Sequence, residues 1–445
     1  MSVDQLAKQA EMTKMNRDKK KRPGYQKTKL GWLPGEWEVE RLDSLFSFKN
    51  GVNAGKEDYG KGVKFINVSE IFNNNSIQAD AIPGSVAVSE DVVEKYAVKR
   101  GDVLFNRTSE TQEEIAFAAV YLDDEKVVFG GFVIRARSVN DKMNDQFKKY
   151  CFQSSLFRKQ VMAKGQGAVR ANIGQNDLGT VKIPLPPLPE QQKIAAILST
   201  WDRAITLTRQ LLQEKEAQKK GLMQRLLMGK VRFHEFVKTQ NTFQTKFGEY
   251  PEDWSYPRIE EVAKVVSVKN SNGADLPVLS CTKHQGLVDS LEYFGKQIFS
   301  KDTSTYKVVS KGQFAYATNH IEEGSIGYQN LYNKALISPM YTAFKANERV
   351  NDFFLFKLLK TPLYIHIYQA KTSASVNRRG SLRWKAFSRI HIPLPPLEEQ
   401  NRIAETIHES EKEISLLESK LEELRQQKKG LMQRLLTGKV RVKVD

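Results

Sequence analysis

Two stretches of this chain place apolar residues at alternating steps of four and three. The first carries Ile194, Leu198, Trp201, Ile205, Leu212, Leu222 and Leu226, with Thr208, Lys215 and Lys219 in the intervening slots. The second carries Ile403, Ile407, Ile414, Leu417, Leu421, Leu424, Leu431 and Leu435, with Ser410 and Lys428 filling its gaps. A mean repeat of about 3.5 residues keeps one stripe facing a partner helix, so both read as coiled-coil seams. Pro189-Glu190 and Glu398-Glu399 suit a first helical turn, where proline costs no hydrogen bond and acid meets the positive end of the dipole. Gly229 and Gly438 are C-terminal stops. Helices of about 38 residues would be about 57 Å long at 1.5 Å per residue. Seams of that length predict that the two helices pair with each other, antiparallel, with a domain at each end.

Between the helical stretches the period shortens. Val63–Val68, Asp102–Phe105 and Val127–Ile134 are β-branched and aromatic runs bounded by Gly and Asn, and predict strands. Ala118–Leu122, Asp123-Asp124 and the run from Val127 read as a hairpin. From Asn144 to Lys164, Phe147, Cys151, Phe157 and Val161 fall at helical spacing and predict a late helix. Thr361-Pro362 interrupts the corresponding stretch downstream and should kink or end it. The fold class expected is α+β, two mixed domains separated by two long helices that form an antiparallel coiled coil.

The chain also repeats itself. Ile183-Pro-Leu-Pro-Pro-Leu188 returns as Ile392-Pro-Leu-Pro-Pro-Leu397, Lys219-Lys-Gly-Leu-Met-Gln-Arg-Leu-Leu227 as Lys428-Lys-Gly-Leu-Met-Gln-Arg-Leu-Leu436, and Gly229-Lys-Val-Arg232 as Gly438-Lys-Val-Arg441. All three recur at one constant offset of 209. Upstream, Gly31, Pro34, Trp37 and Arg41 answer Gly248, Pro251, Trp254 and Arg258 at an offset of 217, whereas Asn144-Asp145 and Phe147 answer Asn351-Asp352 and Phe354 at 207. The globular parts have gained and lost residues while the helices kept their length. This is an internal repeat with pseudo-two-fold character, like a dimer made from one chain.

Charge adds a partner. Lys+Arg 69 against Asp+Glu 52 leaves +17, which favours a polyanion such as nucleic acid. The segment before Leu30 holds +6 of this, residues 190–232 hold +5 and residues 398–441 hold none, so the globular segments share +6. Two cysteines in different halves, Cys151 and Cys281, suit a reducing cytosol and the role of small buried hydrophobes. The six histidines show no metal-ligand spacing, and no apolar run approaches the roughly 20 residues of a membrane span. A soluble, cytoplasmic protein without metal and without membrane contact is expected.

Motifs for chemistry fail individually. The prolines pair only inside the two hexamers, so the Asn/Asp-Pro-Pro-aromatic loop of amine methyltransferases is missing. Gly51-Val-Asn-Ala-Gly-Lys-Glu57 is one residue short of a phosphate-cradling loop and ends in Glu. Glu418-Ser-Lys420, the Glu-x-Lys of a nuclease core, sits on a helix where it reads as a solvated pair.

The hexamers running into long helices, the Lys-Lys-Gly-Leu-Met-Gln-Arg-Leu-Leu endings and the Gly-x-x-Pro-x-x-Trp domain openings resemble the specificity subunits of type I restriction-modification systems. The resemblance spans about Lys29 to Arg441. It implies a non-catalytic, double-stranded-DNA-binding subunit with target-recognition domain 1 (29–182), a central spacer helix region (183–232), target-recognition domain 2 (233–391) and a C-terminal spacer helix region (392–445). The basic N-terminal extension (1–28) has no counterpart in the second half and departs from that two-part pattern, as a disordered arm, a partner-binding segment or a solubilising tail. Each recognition domain would read one half of a bipartite target, with the helices setting the spacer. The implied partners are two modification (methyltransferase) subunits and up to two restriction (motor-nuclease) subunits. No cofactor is expected on this chain; S-adenosylmethionine, ATP and Mg2+ would sit on those partners, and a target adenine would be flipped out by the modification subunit.

Base edges are read mainly by Arg, Lys, Asn and Gln, and phosphates by basic groups and backbone N–H. The candidates are therefore Asn106, Arg107 and Thr108 just past a strand, and Gln166, Arg170 and Asn172 in a polar loop. In the second half they are Lys371, Asn377, Arg378 and Arg379, with Arg383 and Lys385 following. Three rival readings differ in class: a specificity subunit for another restriction-modification type, an enzyme acting alone on nucleic acid, and a coiled-coil scaffold for proteins whose charge serves only solubility.

Overall fold

The computed structural model describes residues 23–72, 74–167, 170–373 and 381–444. They form two compact units, one of residues up to 209 with 420–445, the other of residues 210–419.

In the first unit a five-stranded sheet runs in the order Phe46–Asn50, Val133–Ser138, Val103–Asn106, Ala118–Tyr121, Ser76–Ile77, beside a three-stranded sheet centred on Tyr59–Ile66. Val103–Asn106 is buried throughout, as a central strand between antiparallel neighbours should be. The hairpin expected from Ala118 onward does not form. Ala118–Tyr121 pairs with Val103–Asn106, and the following apolar run divides at Gly130-Gly131. Its first piece, Val128–Phe129, pairs parallel with Tyr59–Ile66, and its second, Val133–Ser138, pairs with Phe46–Asn50 and Val103–Asn106. Val127, Val128 and Phe129 are fully buried, and an apolar edge across the domain serves them better than a solvated hairpin arm.

The late helix is two helices, Asp145–Cys151 and Ser155–Lys164. Asn144 caps the first and Ser154 the second, the latter accepting from the Phe157 N–H at 3.2 Å. Capping side chains at both starts outweigh the continuous periodicity. In the second unit the break comes where expected, with helices Asp352–Leu359 and Pro362–Ser373 on either side of Thr361.

The second unit repeats the central antiparallel trio. Its four-stranded sheet is ordered Ala263–Val266, Tyr341–Ala346, Phe314–Ala317, Ile326–Tyr328, beside a five-stranded sheet containing Val278–Thr282 and Lys334–Ile337. Cys151 and Cys281 are both free, and burial pushes both thiols up, Cys281 to about 12.

The long helices run Leu188–Leu227 and Leu397–Leu435. Each unit holds the start of one against the end of the other, so the pairing inside each unit is antiparallel. In the first unit Ile194, Leu198 and Leu435 join one core with Leu33, Trp37 and Phe147. In the second, Leu226, Ile403 and Ile407 join Ile259, Phe354 and Leu394. All fifteen apolar seam residues named above are buried or half-buried. The three lysines in polar seam positions make ion pairs, Lys428 with Asp202 at 2.5 Å, Lys215 with Glu413 at 2.8 Å and Lys219 with Glu411 at 3.5 Å, while the Thr208 and Ser410 hydroxyls donate to the Ala204 and Thr406 carbonyls of their own helices.

Two boundaries shift. Tyr25–Thr28 pairs with Gly31–Pro34, so the end of the basic extension belongs to the folded unit. The first hexamer contributes Ile183, Pro184 and Leu185 to an edge strand, Lys182–Leu185, paired with Glu38–Arg41, and therefore closes the globular part before the helix begins. Prolines are tolerated on such an edge.

The repeated motifs meet at this junction. In the first unit Trp37 Nε1 donates to Glu190 at 2.8 Å, and Arg441 closes on the same carboxylate at 2.7 Å. In the second unit Trp254 Nε1 donates to Glu399 at 3.1 Å and Arg232 at 2.8 Å. Glu190 and Glu399 are buried, so the acid after each hexamer is an ion-pair anchor rather than a solvated end charge. Gly229 and Gly438 both take φ +65°, past the ends of their helices; a Cβ on them would press on Pro251 and Pro34 at 2.6 and 2.3 Å.

Candidate nucleic-acid interface

The strand Val103–Asn106 delivers its polar successors to one rim of the first domain. Asn106 itself is fully buried: its Oδ1 accepts from the Phe117 N–H at 2.5 Å and its Nδ2 donates to the Thr108 carbonyl at 3.3 Å. It holds the turn and cannot reach a base, which corrects its place among the candidates. A buried amide that satisfies backbone groups is costly to expose.

The other five candidates of this domain come together. Thr108-Ser109 pairs antiparallel with Ala171-Asn172, and Gln166 exchanges backbone hydrogen bonds with Asn172 at 2.8 and 2.9 Å. The Thr108 hydroxyl donates to Asn172 Oδ1 at 2.7 Å, while Asn172 Nδ2 donates to the Arg170 carbonyl at 3.1 Å. Asn172 therefore commits part of its amide to the loop, leaving its remaining N–H and lone pair outward. Arg107, Gln166 and Arg170 are exposed, and neither arginine has a side-chain hydrogen bond or ion pair among the described residues. Thr108, Arg170 and Phe132 line a shallow depression of about 420 Å³ that also holds Glu110 and Glu114. Those acids would repel phosphate, so the cationic contacts must come from the rim.

Other basic groups near this sheet are engaged internally. Asp102, 3% exposed, takes Arg137 at 2.6 Å, and Arg135 donates to the Ala97 carbonyl at 2.7 Å, with burial lowering the Arg135 pKa. Arg158, whose pKa burial pushes down to about 10, donates to the Ala116 and Glu113 carbonyls.

In the second domain Asn377, Arg378 and Arg379 lie outside the described residues. Lys371 is exposed on the helix Pro362–Ser373, which packs on the Ile321–Glu323 turn. Arg383 and Lys385 are exposed around the short helix Trp384–Phe387. The Leu382 N–H donates to the Thr318 carbonyl at 2.9 Å, just as the Ile173 N–H donates to the Arg107 carbonyl at 3.0 Å. Thr318-Asn319-His320 is thus the counterpart of Arg107-Thr108-Ser109, and sequence reasoning missed it. The available signal was glycine: Gly101 and Gly312, both with positive φ, stand at the same distance before the two loops.

Comparisons with known proteins agree with this duplicated architecture. The family described as type I restriction modification DNA specificity domain matches residues 34–217 and again 251–426. The chain belongs to that family. A Methanocaldococcus jannaschii chain assigned as the specificity subunit of the type I restriction enzyme MjaX is 27% identical over 444 residues, covering 95% of this chain and 98% of that one. The MjaVIII specificity subunit of the same organism is 27% identical over 341 residues, covering 72% and 76%. In fold, the chain resembles the HsdS subunit from Thermoanaerobacter tengcongensis, with TM-score 0.54, 18% identity and coverage of 92% and 98%. It also resembles the type I S subunit from M. genitalium, with TM-score 0.51, 14% identity and coverage of 94% and 98%. Among the described residues, no helix of this family member is long and apolar enough to cross a membrane.

Proposed function

We propose that this chain is the DNA-specificity subunit of a cytoplasmic type I restriction-modification complex, binding double-stranded DNA without catalysing a reaction itself. The observation that supports it most is the duplicated rim: in each domain the strand after a positive-φ glycine ends in a polar loop, and a second polar segment is hydrogen-bonded to that loop. Different side chains occupy the two rims, Arg107, Gln166, Arg170 and Asn172 in one, Thr318, Asn319, Arg383 and Lys385 in the other. Two different sets of donors suit two different half-sites. Two modification subunits would supply S-adenosylmethionine and the adenine chemistry, and up to two motor-nuclease subunits would supply ATP- and Mg2+-dependent steps. The long helices would act as the spacer ruler, having kept 40 and 39 residues while the domains diverged.

The test is a map of methylated adenines in DNA from cells expressing the chain with the subunits encoded beside it. A split target with a fixed spacer is expected. Arg107→Ala should relax one half of it and Arg383→Ala the other; both acting on the same half would defeat the assignment of one domain to one half-site. Removing seven residues from each helix keeps the seam and should shorten the spacer by about 3 base pairs, from about 10 Å of lost rise.

A further inference from the structure

Among the described residues, the most exposed large apolar side chain of the first globular domain is Phe132, at 64%, and that of the second is Met340, at 63%. Scattered exposed apolar residues are ordinary. These two, however, occupy the same position. Each is the third residue of a four-residue turn, Gly130–Val133 or Ser338–Tyr341, closed by the Val133 N–H on the Gly130 carbonyl at 2.9 Å and by the Tyr341 N–H on the Ser338 carbonyl at 3.0 Å. Each turn feeds the strand that pairs with the one delivering the polar loop.

Their backbones are tied to that loop. The Arg107 N–H donates to the Phe132 carbonyl at 2.8 Å, and the Thr318 hydroxyl donates to the Met340 carbonyl at 3.1 Å. The turns are stiff by different means. In the first, the Gly131 N–H donates to the Val52 carbonyl at 2.9 Å, and a Cβ on neighbouring Gly51 would sit 2.2 Å from the Gly130 carbonyl. In the second, Pro339 fixes its own φ. So, among the described residues, each domain sets a strongly exposed apolar tip, of different chemistry but at one address, beside its polar readers.

Resting on the reading of the chain as a DNA-specificity subunit, we infer that Phe132 and Met340 are specificity-determining contacts that press an apolar surface onto a base of their own half-site. Two forms of base present such a surface: the C5-methyl of thymine, and the face of a base at an opened step. The polar neighbours fix register, and the apolar tip discriminates by methyl contact or by the ease of unstacking.

The experiment uses the purified full-length chain and duplexes carrying its mapped target. Phe132→Ala should weaken specific binding about tenfold and relax selectivity in one half-site only, and Met340→Ala should do the same in the other. Both side chains are exposed, so thermal midpoints should stay at the wild-type value. Thymine-to-uracil duplexes and duplexes with 2-aminopurine at each step separate the two forms. Methyl contact predicts a penalty for uracil in wild type that vanishes in the alanine variant. Unstacking predicts brightening of 2-aminopurine by wild type that the variant does not produce. If wild type selects its target and both variants bind like it, with neither probe responding to the substitution, this inference fails while the specificity reading stands. If wild type shows no preference for any target at fixed salt, both fall together.

Discussion

In the second unit Arg232 closes on Glu399 and Asp253 with its side chain 7% exposed; in the first, Arg441 closes on Glu190 and Glu36 with its side chain 35% exposed. The third partner makes the difference, since Asp253 is 14% exposed whereas Glu36 is 71% exposed. Identical motifs, Gly-Lys-Val-Arg and the acid after the hexamer, therefore sit in unequal dielectric. A buried charge whose partner is removed costs far more than one that water can reach. Arg232→Met should destabilise by about 3 kcal/mol and Arg441→Met by about 1 kcal/mol, read from urea unfolding of each variant. Equal losses would show that the exposed clasp is as dry as the buried one.

At Asp145 and Asp352, the first residues of equivalent helices, the contrast recurs with the opposite sign. Asp145 opens its helix with Lys148 at 2.6 Å, and Lys148 also donates to the Gly101 carbonyl at 3.0 Å. The equivalent Asp352 opens its helix where Leu355 stands in place of the lysine. Burial, only partly offset by Lys345, raises the Asp352 pKa to about 6. The folded state thus binds this proton more tightly than the unfolded chain, so stability falls as pH rises from about 4 through about 6. Asp352→Asn should stabilise by about 1 kcal/mol at pH 7, discounted for partial exposure, and flatten that slope. Asp145→Asn should destabilise instead. A neutral-pH loss in Asp352→Asn would mean that the carboxylate has a partner in solution.

These contrasts mark what the sequence could say. Spacing alone revealed the two seams, their starts at Pro189-Glu190 and Glu398-Glu399 and their ends near Gly229 and Gly438. A repeat of 3.5 residues sustained over many turns keeps one stripe on a partner helix, and neither a strand nor a loop has that period. Spacing did not reveal that Glu190 and Glu399 are buried under Trp37 and Trp254, since that contact joins residues 153 and 145 positions apart. The missing hairpin has a similar cause: strand partners are chosen by burial across the domain, and alternation cannot show which apolar run lies opposite which. Of the candidate interface, Arg107, Thr108, Gln166, Arg170 and Asn172 were legible as a polar set. Asn106 was not separable from them, because a buried clamp and an exposed reader are the same amino acid. Thr318-Asn319-His320 stayed hidden because insertions moved its offset to 211, away from the constant 209 of the helices.

The smallest expected difference lies along the seams, between two lysines in polar heptad positions. Lys428 reaches Asp202 at 2.5 Å with 16% exposure, Asp202 also accepts from the Tyr150 hydroxyl at 2.7 Å, and the ammonium lies 5.5 Å from the Tyr150 ring centroid. Lys215 reaches Glu413 at 2.8 Å with 31% exposure, and Glu413 is half exposed. A solvated pair yields only a few tenths of a kcal/mol once side-chain entropy is lost, whereas the Lys428 pair shares its acid with a buried phenol. Lys428→Ala should therefore cost about 1 kcal/mol and Lys215→Ala about 0.3 kcal/mol. Salt separates them further: raising ionic strength to 1 M shortens the screening length to about 3 Å and should erase the Lys215 effect while leaving most of the Lys428 effect. Loss of both effects at high salt would place Lys428 in water, and the helix pair of the first unit would then be as open as that of the second.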